Sequence, residues 1–144
     1  MFILQYPIKI VLVDDDPEAL ALMNNFLKNN EQYDIYAFTS PKEALEFMTE
    51  NETQIAIVDI NMKEMYGDRL LSRIIDLEAG TEVIIVTASD NLINFTACYK
   101  LRANGFMFKP LEKKSFNAIV ENSHKNLINW NNVFNEMIMR KHSA

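Results

Sequence analysis

Short apolar runs alternate along the chain with segments in which apolar residues recur every three or four positions. This alternation predicts strands that are separated by amphipathic helices. The predicted strands cover residues 8–13, 33–38, 54–58, 82–86 and 106–108. Helices are predicted over residues 17–28, from Pro41, around 70–77, over 92–101 and from about Leu111. Strand–helix units in this order predict an α/β fold, a flavodoxin-like five-stranded parallel sheet with helices on both faces, because parallel strands need helical crossovers.

Polar residues directly follow four of the five predicted strands. Asp14 and Asp15 follow the first strand, Asp59 the third, Thr87 the fourth and Lys109 the fifth. In an open parallel sheet the ligand site lies outside the carboxyl ends of the strands. We therefore expect these side chains to share one cleft.

The three acids at residues 14–16 need separate explanations. Asp16 directly precedes a proline that opens a helical pattern, and this combination predicts a helix N-cap. Asp14 and Asp15 repel each other unless a cation is near, and clustered carboxylates suit Mg²⁺, which prefers oxygen ligands. Together with the Lys109 ammonium and the Thr87 hydroxyl, such a cation would form a binding site for a phosphoryl group. One carboxylate can then act as the nucleophile and form an aspartyl phosphate.

In four motifs the chain resembles the receiver domains of two-component response regulators. The motifs are VDDDP (13–17), IVDINM (57–62), VTAS (86–89) and FMFKP (106–110). Their order and spacing match that family over roughly residues 8–125. The resemblance implies a domain that accepts a phosphoryl group from a histidine kinase or a histidine phosphotransfer protein. It also implies a conformational switch that signals to a partner or an output domain.

The resemblance also implies a role for each matched residue. Asp59 corresponds to the phospho-acceptor. The Mg²⁺ cofactor is expected to be held by Asp14, Asp15, Asp59 and the backbone carbonyl of Asn61. The residues expected to contact the phosphoryl group or to act in the switch are Thr87, Lys109 and Phe106.

Three positions bear on how closely the chain matches the family. Phe106 stands at an aromatic switch position that is often tyrosine, so a signal through a tyrosine hydroxyl is absent here. Lys63 stands where many receivers have proline, so the conformation of the acceptor loop does not follow from the resemblance. The favoured interpretation of Lys63 is an ordinary solvated lysine. The peptide bond between Lys109 and Pro110 is expected to be cis, as it usually is in the family.

The C-terminal region extends past the length that a receiver needs. We expect a receiver domain over residues 1–125 and a helical extension or connector over 126–144. With Ser123 as a gap, apolar residues there keep a spacing of four and three, which is typical of a coiled-coil seam: Phe116, Val120, Leu127, Trp130, Phe134 and Met137. The favoured interpretation is one extended helix that pairs with a second copy. The alternative is a break near Asn131–Asn132 with a short helix folded back, which the seven asparagines between 117 and 135 permit.

Composition narrows the choice of partners. The net charge of −6 argues against direct nucleic-acid binding and against an anionic membrane surface. No apolar run approaches the length of a membrane span, and the short start MFILQYP is a poor signal peptide. The single cysteine, Cys98, excludes an internal disulfide and fits a reducing compartment, so a cytoplasmic location is expected. Besides the C-terminal helix, the face built by the fourth helix, fifth strand and fifth helix is a candidate surface for a homodimer.

Other functions fit the residues less well. A haloacid-dehalogenase-type phosphatase also uses a strand-end aspartate with Mg²⁺, but it carries a second aspartate where Asn61 stands here. A nucleotide-binding flavodoxin-like domain needs a glycine-rich loop, and the chain has only three glycines. A degenerate receiver is disfavoured because all the matched residues are present. We expect no enzymatic activity beyond self-phosphorylation from phosphodonors and slow autodephosphorylation.

Overall fold

The computed structural model describes residues 4–88 and 90–143 of the chain. Ten elements alternate along it: β1 (Ile8–Val13), α1 (Pro17–Leu27), β2 (Tyr33–Phe38), α2 (Pro41–Glu50), β3 (Ile55–Asp59), α3 (Gly67–Asp76), β4 (Glu82–Thr87), α4 (Leu92–Lys100), β5 (Gly105–Phe108) and α5 (Lys113–Ser143). The strands form one parallel sheet in the order β2-β1-β3-β4-β5. The predicted fold class is confirmed, with strand and helix bounds that shift by up to three residues.

The strand order places the site. The chain moves outward from β1 to β2, then crosses back to β3 on the other side of β1, so the order reverses between β1 and β3. Val13 pairs with Val58 in this register, so the two strands end side by side. The residues that come after β1 therefore meet the last residue of β3, at the point where such sheets bind ligands.

Both faces of the sheet are covered. Alternate residues of the central strands face a core that α2, α3 and α4 contribute to, with Leu70 and Cys98 among its buried members. The other residues face a core shared with α1 and α5, where Met23 and Phe116 are buried. Every residue of β3 and β4 is buried, as expected for central strands of a parallel sheet.

Local signals in the sequence explain where two helices begin. The Asp16 side chain accepts a hydrogen bond of 3.0 Å from the Glu18 N–H, so the predicted N-cap is confirmed. Ser40 caps α2 in the same way, with its hydroxyl 3.2 Å from the Glu43 N–H. In each helix a proline comes directly after the cap, where its missing N–H costs no hydrogen bond.

Helix α5 is a single element of 31 residues, about 45 Å long at ~1.5 Å per residue. It passes Lys125 and Asn131–Asn132 without interruption, so the alternative of a break there is wrong. An asparagine costs a helix only about 0.5–0.7 kcal/mol relative to alanine, and burial of Phe116 and Val120 stabilises the first half. The expected boundary at residue 125 therefore falls inside one helix.

The apolar seam of α5 is divided between two environments. Its first members, Phe116 and Val120, pack into the core of the chain's own domain. Trp130 and Met137 are 58% and 62% exposed, whereas Phe134 is half-buried. In the described part of the chain no helix has both the length and the apolarity that a membrane crossing needs.

Candidate functional site

Three carboxylates converge at the carboxyl edge of the sheet. Side-chain oxygens of Asp14, Asp15 and Asp59 all lie within 4.8 Å of one another. Asp14 is fully buried and Asp59 is 5% exposed, while Asp15 faces solvent. The parallel register explains this clustering. Because β1 and β3 end side by side, the acids that follow β1 lie next to the acid that ends β3.

Lys109 supplies the positive charge of the cluster. Its ammonium donates a hydrogen bond of 2.7 Å to Asp14 Oδ2 and lies 3.9 Å from Asp59 Oδ2. The Lys109 N–H donates to the Thr87 carbonyl at 2.8 Å, which holds the start of the loop after β5 against β4. The Lys109–Pro110 bond is cis, as expected. Burial lowers the pKa of Lys109, but the hydrogen bond to Asp14 and the charge of Asp59 outweigh it, so the pKa is raised and the ammonium stays charged.

One ammonium does not balance the cluster. Burial, with the charge of Asp14 as the next cause, raises the pKa of Asp59 to about 6. The Lys109 charge and an Asn61 N–H at 3.3 Å oppose this shift without cancelling it. A buried carboxylate with so few donors indicates missing positive charge. The donor set of three carboxylates in one partly open cleft fits a hard divalent cation such as Mg²⁺.

The loop after Asp59 is held at several points that the sequence did not indicate. The Lys63 backbone N–H donates to Asp15 Oδ2 at 3.1 Å, while Lys63 itself is exposed. The Ser40 hydroxyl donates to Glu64 at 3.1 Å. These two bonds tie the loop after Asp59 to the loops that follow β1 and β2. Because proline has no N–H, the bond to Asp15 depends on a residue other than proline at position 63.

Gly67 closes the same loop against the end of β3. Its N–H donates to the Ile60 carbonyl at 2.8 Å. A Cβ on Gly67 would lie 2.5 Å from Ile60 Cα and 2.7 Å from the Asp59 carbonyl oxygen. Those contacts are too close for any other residue without movement of the backbone. The scarcity of glycine in the sequence was the only signal that could have marked this position.

Thr87 and Phe106 line one cavity of about 320 Å³ next to the acidic cluster. Thr87 is buried at the end of β4. The Phe106 ring is half-buried and lies 4.8 Å from the Phe95 ring at an angle of 71°, and 5.4 Å from the Phe108 ring. The structure therefore places the two predicted switch residues around a common space.

The surface beside this cavity is apolar. Five large hydrophobic residues of α4 and β5 are exposed: Leu92, Ile93, Phe95, Tyr99 and Phe108. An apolar patch of this kind typically marks a surface that contacts another molecule.

Comparison with known proteins agrees with the geometry. The family profile described as response regulator receiver domain matches residues 10–121. Transcriptional regulatory protein GlrR of Escherichia coli (strain K12) is 29% identical over 117 residues, which cover 81% of this chain and 26% of GlrR. Heme response regulator HssR of Staphylococcus epidermidis (strain ATCC 12228 / FDA PCI 1200) is 32% identical over 107 residues, which cover 74% of this chain and 47% of HssR.

Solved structures show the same fold. The signal receiver domain of a putative Luxo repressor protein from Vibrio parahaemolyticus superimposes with a TM-score of 0.81 at 24% identity, covering 90% of this chain and 98% of that one. A CheY-like response regulator receiver domain protein from Methanospirillum hungatei JF-1 gives a TM-score of 0.75 at 24% identity, covering 85% and 95%.

The chain is much shorter than these curated relatives. It spans 26% of the length of GlrR and 47% of the length of HssR. GlrR is named as a transcriptional regulator, so the relatives give no support to the expectation that nucleic acid is not a partner. That expectation stays a prediction.

Proposed function

Since the chain belongs to the response regulator receiver domain family, we propose that it accepts a phosphoryl group on Asp59 from a histidine kinase or a histidine phosphotransfer protein. The observation that carries this proposal is the acidic cluster beside the half-buried Lys109 ammonium. Asp14, Asp15 and Asp59 meet within 4.8 Å, and Lys109 lies 3.9 Å from the Asp59 carboxylate. The proposed nucleophile ends β3 and the proposed charge-stabilising group directly follows β5, at the same edge of the sheet.

In the transfer step an oxygen of the Asp59 carboxylate forms a bond to the phosphorus of a phosphohistidine. The N–P bond breaks, and its electron pair stays on the imidazole nitrogen of the donor. Lys109 stabilises the negative charge of the phosphoryl oxygens, since its ammonium already lies between Asp14 and Asp59. Each group is held by its own strand, so the step needs little rearrangement of the protein.

Asp14, Asp15 and Asp59 are the residues that would hold Mg²⁺, together with the carbonyl of Asn61. When bound, the ion supplies charge that stabilises the transferring phosphoryl group and orients it. Burial of Asp14 and Asp59 strengthens their attraction for a cation, because the surrounding medium screens charge poorly. The Lys63 N–H keeps the exposed Asp15 carboxylate directed toward the cluster.

The switch rests on Thr87 and Phe106. Thr87 would move toward the phosphoryl oxygens and leave space for the Phe106 ring in the cavity that both residues line. Because Phe106 is in contact with Phe95 and Phe108, its movement would rearrange the apolar patch on α4 and β5. This patch is the surface through which the phosphorylated state would reach a partner.

The proposal also covers the catalytic turnover of the domain, its location in the cell and its oligomeric state. The domain would not turn over many substrates, and would lose its phosphoryl group by slow hydrolysis. The free and buried Cys98 fits a reducing compartment, for which the cytoplasm is the proposal. A homodimer would form through the exposed part of α5 or through the face that α4, β5 and α5 build.

Replacement of Asp59 by Asn tests the acceptor. Acetyl phosphate with Mg²⁺ should add the mass of one phosphoryl group to the wild type and none to Asp59→Asn, because only the nucleophile is lost. Asp16→Asn makes the same chemical change at an exposed helix cap, where Asn serves as well as Asp, and should label like the wild type. Equal labelling of Asp59→Asn and wild type would show that the acceptor is another residue.

A further inference from the structure

The middle of α5 is joined to the domain by polar contacts at the amino edge of the sheet, opposite the acidic cluster. His124 is 8% exposed and contacts two tyrosines. Its Nε2 lies 2.8 Å from the Tyr6 hydroxyl and its Nδ1 lies 3.2 Å from the Tyr33 hydroxyl. A neutral imidazole has one donor and one acceptor, and each hydroxyl can serve as either, so both bonds can form together. The N-terminal segment, β2 and α5 are thereby joined through one side chain.

A second contact lies beside the first residue of β4. Glu82 is 9% exposed, and its Oε2 accepts hydrogen bonds of 3.0 Å from both the Asn104 and the Asn126 side-chain amides. The Ser123 hydroxyl also donates to this carboxylate. Two of these donors lie on α5 and the third precedes β5. A buried carboxylate with three donors is satisfied, and removal of one donor leaves a desolvated charge with fewer partners.

A third contact lies five residues beyond Asn126 along the helix. The Leu4 N–H donates to Asn131 Oδ1 at 2.7 Å. All the α5 residues in these contacts, from Ser123 to Asn131, lie beyond residue 121, where the match to the family profile ends. They include asparagines that weaken an isolated helix, and their side chains are used here to bind the body of the domain.

We propose that these contacts act as a clamp that fixes the direction of α5. The clamp consists of Leu4, Tyr6, Tyr33, Glu82 and Asn104 on the body and of Ser123, His124, Asn126 and Asn131 on α5. Residues 132–143 then leave the body as an arm of defined direction, which carries the exposed apolar residues Val133, Met137, Ile138 and Met139. The unit that folds together ends near Asn131, past the boundary expected at residue 125.

Two asparagine replacements on the same helix test the clamp. Asn126→Ala removes a donor to Glu82, whereas Asn132→Ala changes an exposed asparagine that lies outside the clamp. Both gain the same helix propensity, so a helix without a clamp would respond identically to both. Amide hydrogen exchange over residues 122–134 should be at least about tenfold faster in Asn126→Ala, which corresponds to ~1.4 kcal/mol of local opening, and unchanged or slower in Asn132→Ala.

The same variants can be monitored by quenching of Trp130, the only tryptophan. Acrylamide should quench Trp130 more strongly in Asn126→Ala and in His124→Phe, which keeps a ring but loses both bonds to tyrosine. Labelling of Asp59 should stay normal in both, since the acidic cluster lies at the other edge. If Asn126→Ala unfolds the whole domain, seen as fast exchange in β1 and β3, Ser123→Ala provides the milder loss of one donor. Identical exchange in Asn126→Ala, His124→Phe and Asn132→Ala would overturn the proposal.

Discussion

A carboxylate is buried at the carboxyl edge of the sheet and another at the amino edge. The two edges differ in the groups that compensate the negative charge. At the carboxyl edge, the Asp59 carboxylate has an Asn61 N–H at 3.3 Å and a Lys109 ammonium at 3.9 Å, and it lies beside Asp14 and Asp15. At the amino edge, Glu82 accepts hydrogen bonds from Asn104, Ser123 and Asn126.

This difference in compensation distinguishes the proposed phosphoryl-transfer site from a structural contact. Burial is the first cause that raises the pKa of both Asp59 and Glu82, so a raised pKa alone does not distinguish them. The next causes differ: the charge of Asp14 raises the pKa of Asp59 further, whereas hydrogen bonds from Asn126 and Ser123 lower that of Glu82. The hydrogen bonds offset only part of the cost of burying Glu82, so its pKa remains raised. Clustered carboxylates favour binding of a cation, whereas a carboxylate with several neutral donors favours a fixed contact between elements.

The largest expected effect is loss of cation binding at the carboxyl edge. Asp15→Ala should abolish Mg²⁺ binding measured by calorimetry, because the remaining pair of carboxylates already shares the Lys109 ammonium. Asp76→Ala removes one negative charge from an exposed position at the end of α3 and serves as the control. An Mg²⁺ affinity of Asp15→Ala equal to that of the control would contradict the cation site.

Truncation of the two carboxylates should change stability in opposite directions. In metal-free buffer at neutral pH, Asp59→Ala should raise the free energy of unfolding by on the order of 1 kcal/mol, because it relieves repulsion and the cost of burial. Glu82→Ala should lower it by about 2 kcal/mol, because the donors of Asn104, Ser123 and Asn126 lose their acceptor. Urea unfolding of both variants measures the two changes in the free energy of unfolding. Changes of the same sign would mean that the two edges do not differ in how they compensate the buried charge.

A smaller effect is expected at position 63, where the backbone contacts the cation site. Lys63→Pro deletes the N–H that donates to Asp15, whereas Lys63→Ala keeps it and removes only the ammonium. The dissociation constant for Mg²⁺ should rise roughly fivefold in Lys63→Pro, as loss of one hydrogen bond of ~1 kcal/mol implies. In Lys63→Ala it should stay the same or fall slightly. Equal constants in the two variants would show that this N–H does not position Asp15.

The sequence by itself determined the fold and the grouping of the acids. Periodicity separated the five strands from the helices, and parallel strands bring the residues at their carboxyl ends to one edge, so Asp14, Asp15, Asp59 and Lys109 could be grouped before any contact was known. Their roles in phosphoryl transfer remain predictions that the Asp59 and Asp15 variants test.

Only the tertiary structure decided how α5 and the acceptor loop are held. Along the sequence, Ser123 is a polar gap in the apolar seam, His124 and Asn126 look like the solvated face of a helix, and nothing near them indicates a partner. Their contacts reach far along the chain: Tyr6 is 118 residues from His124, and Leu4 is 127 residues from Asn131. Sequence periodicity reports which face of an element is apolar, but not which polar groups meet. That depends on where each element ends in space, because a hydrogen bond needs its donor and acceptor within about 3 Å.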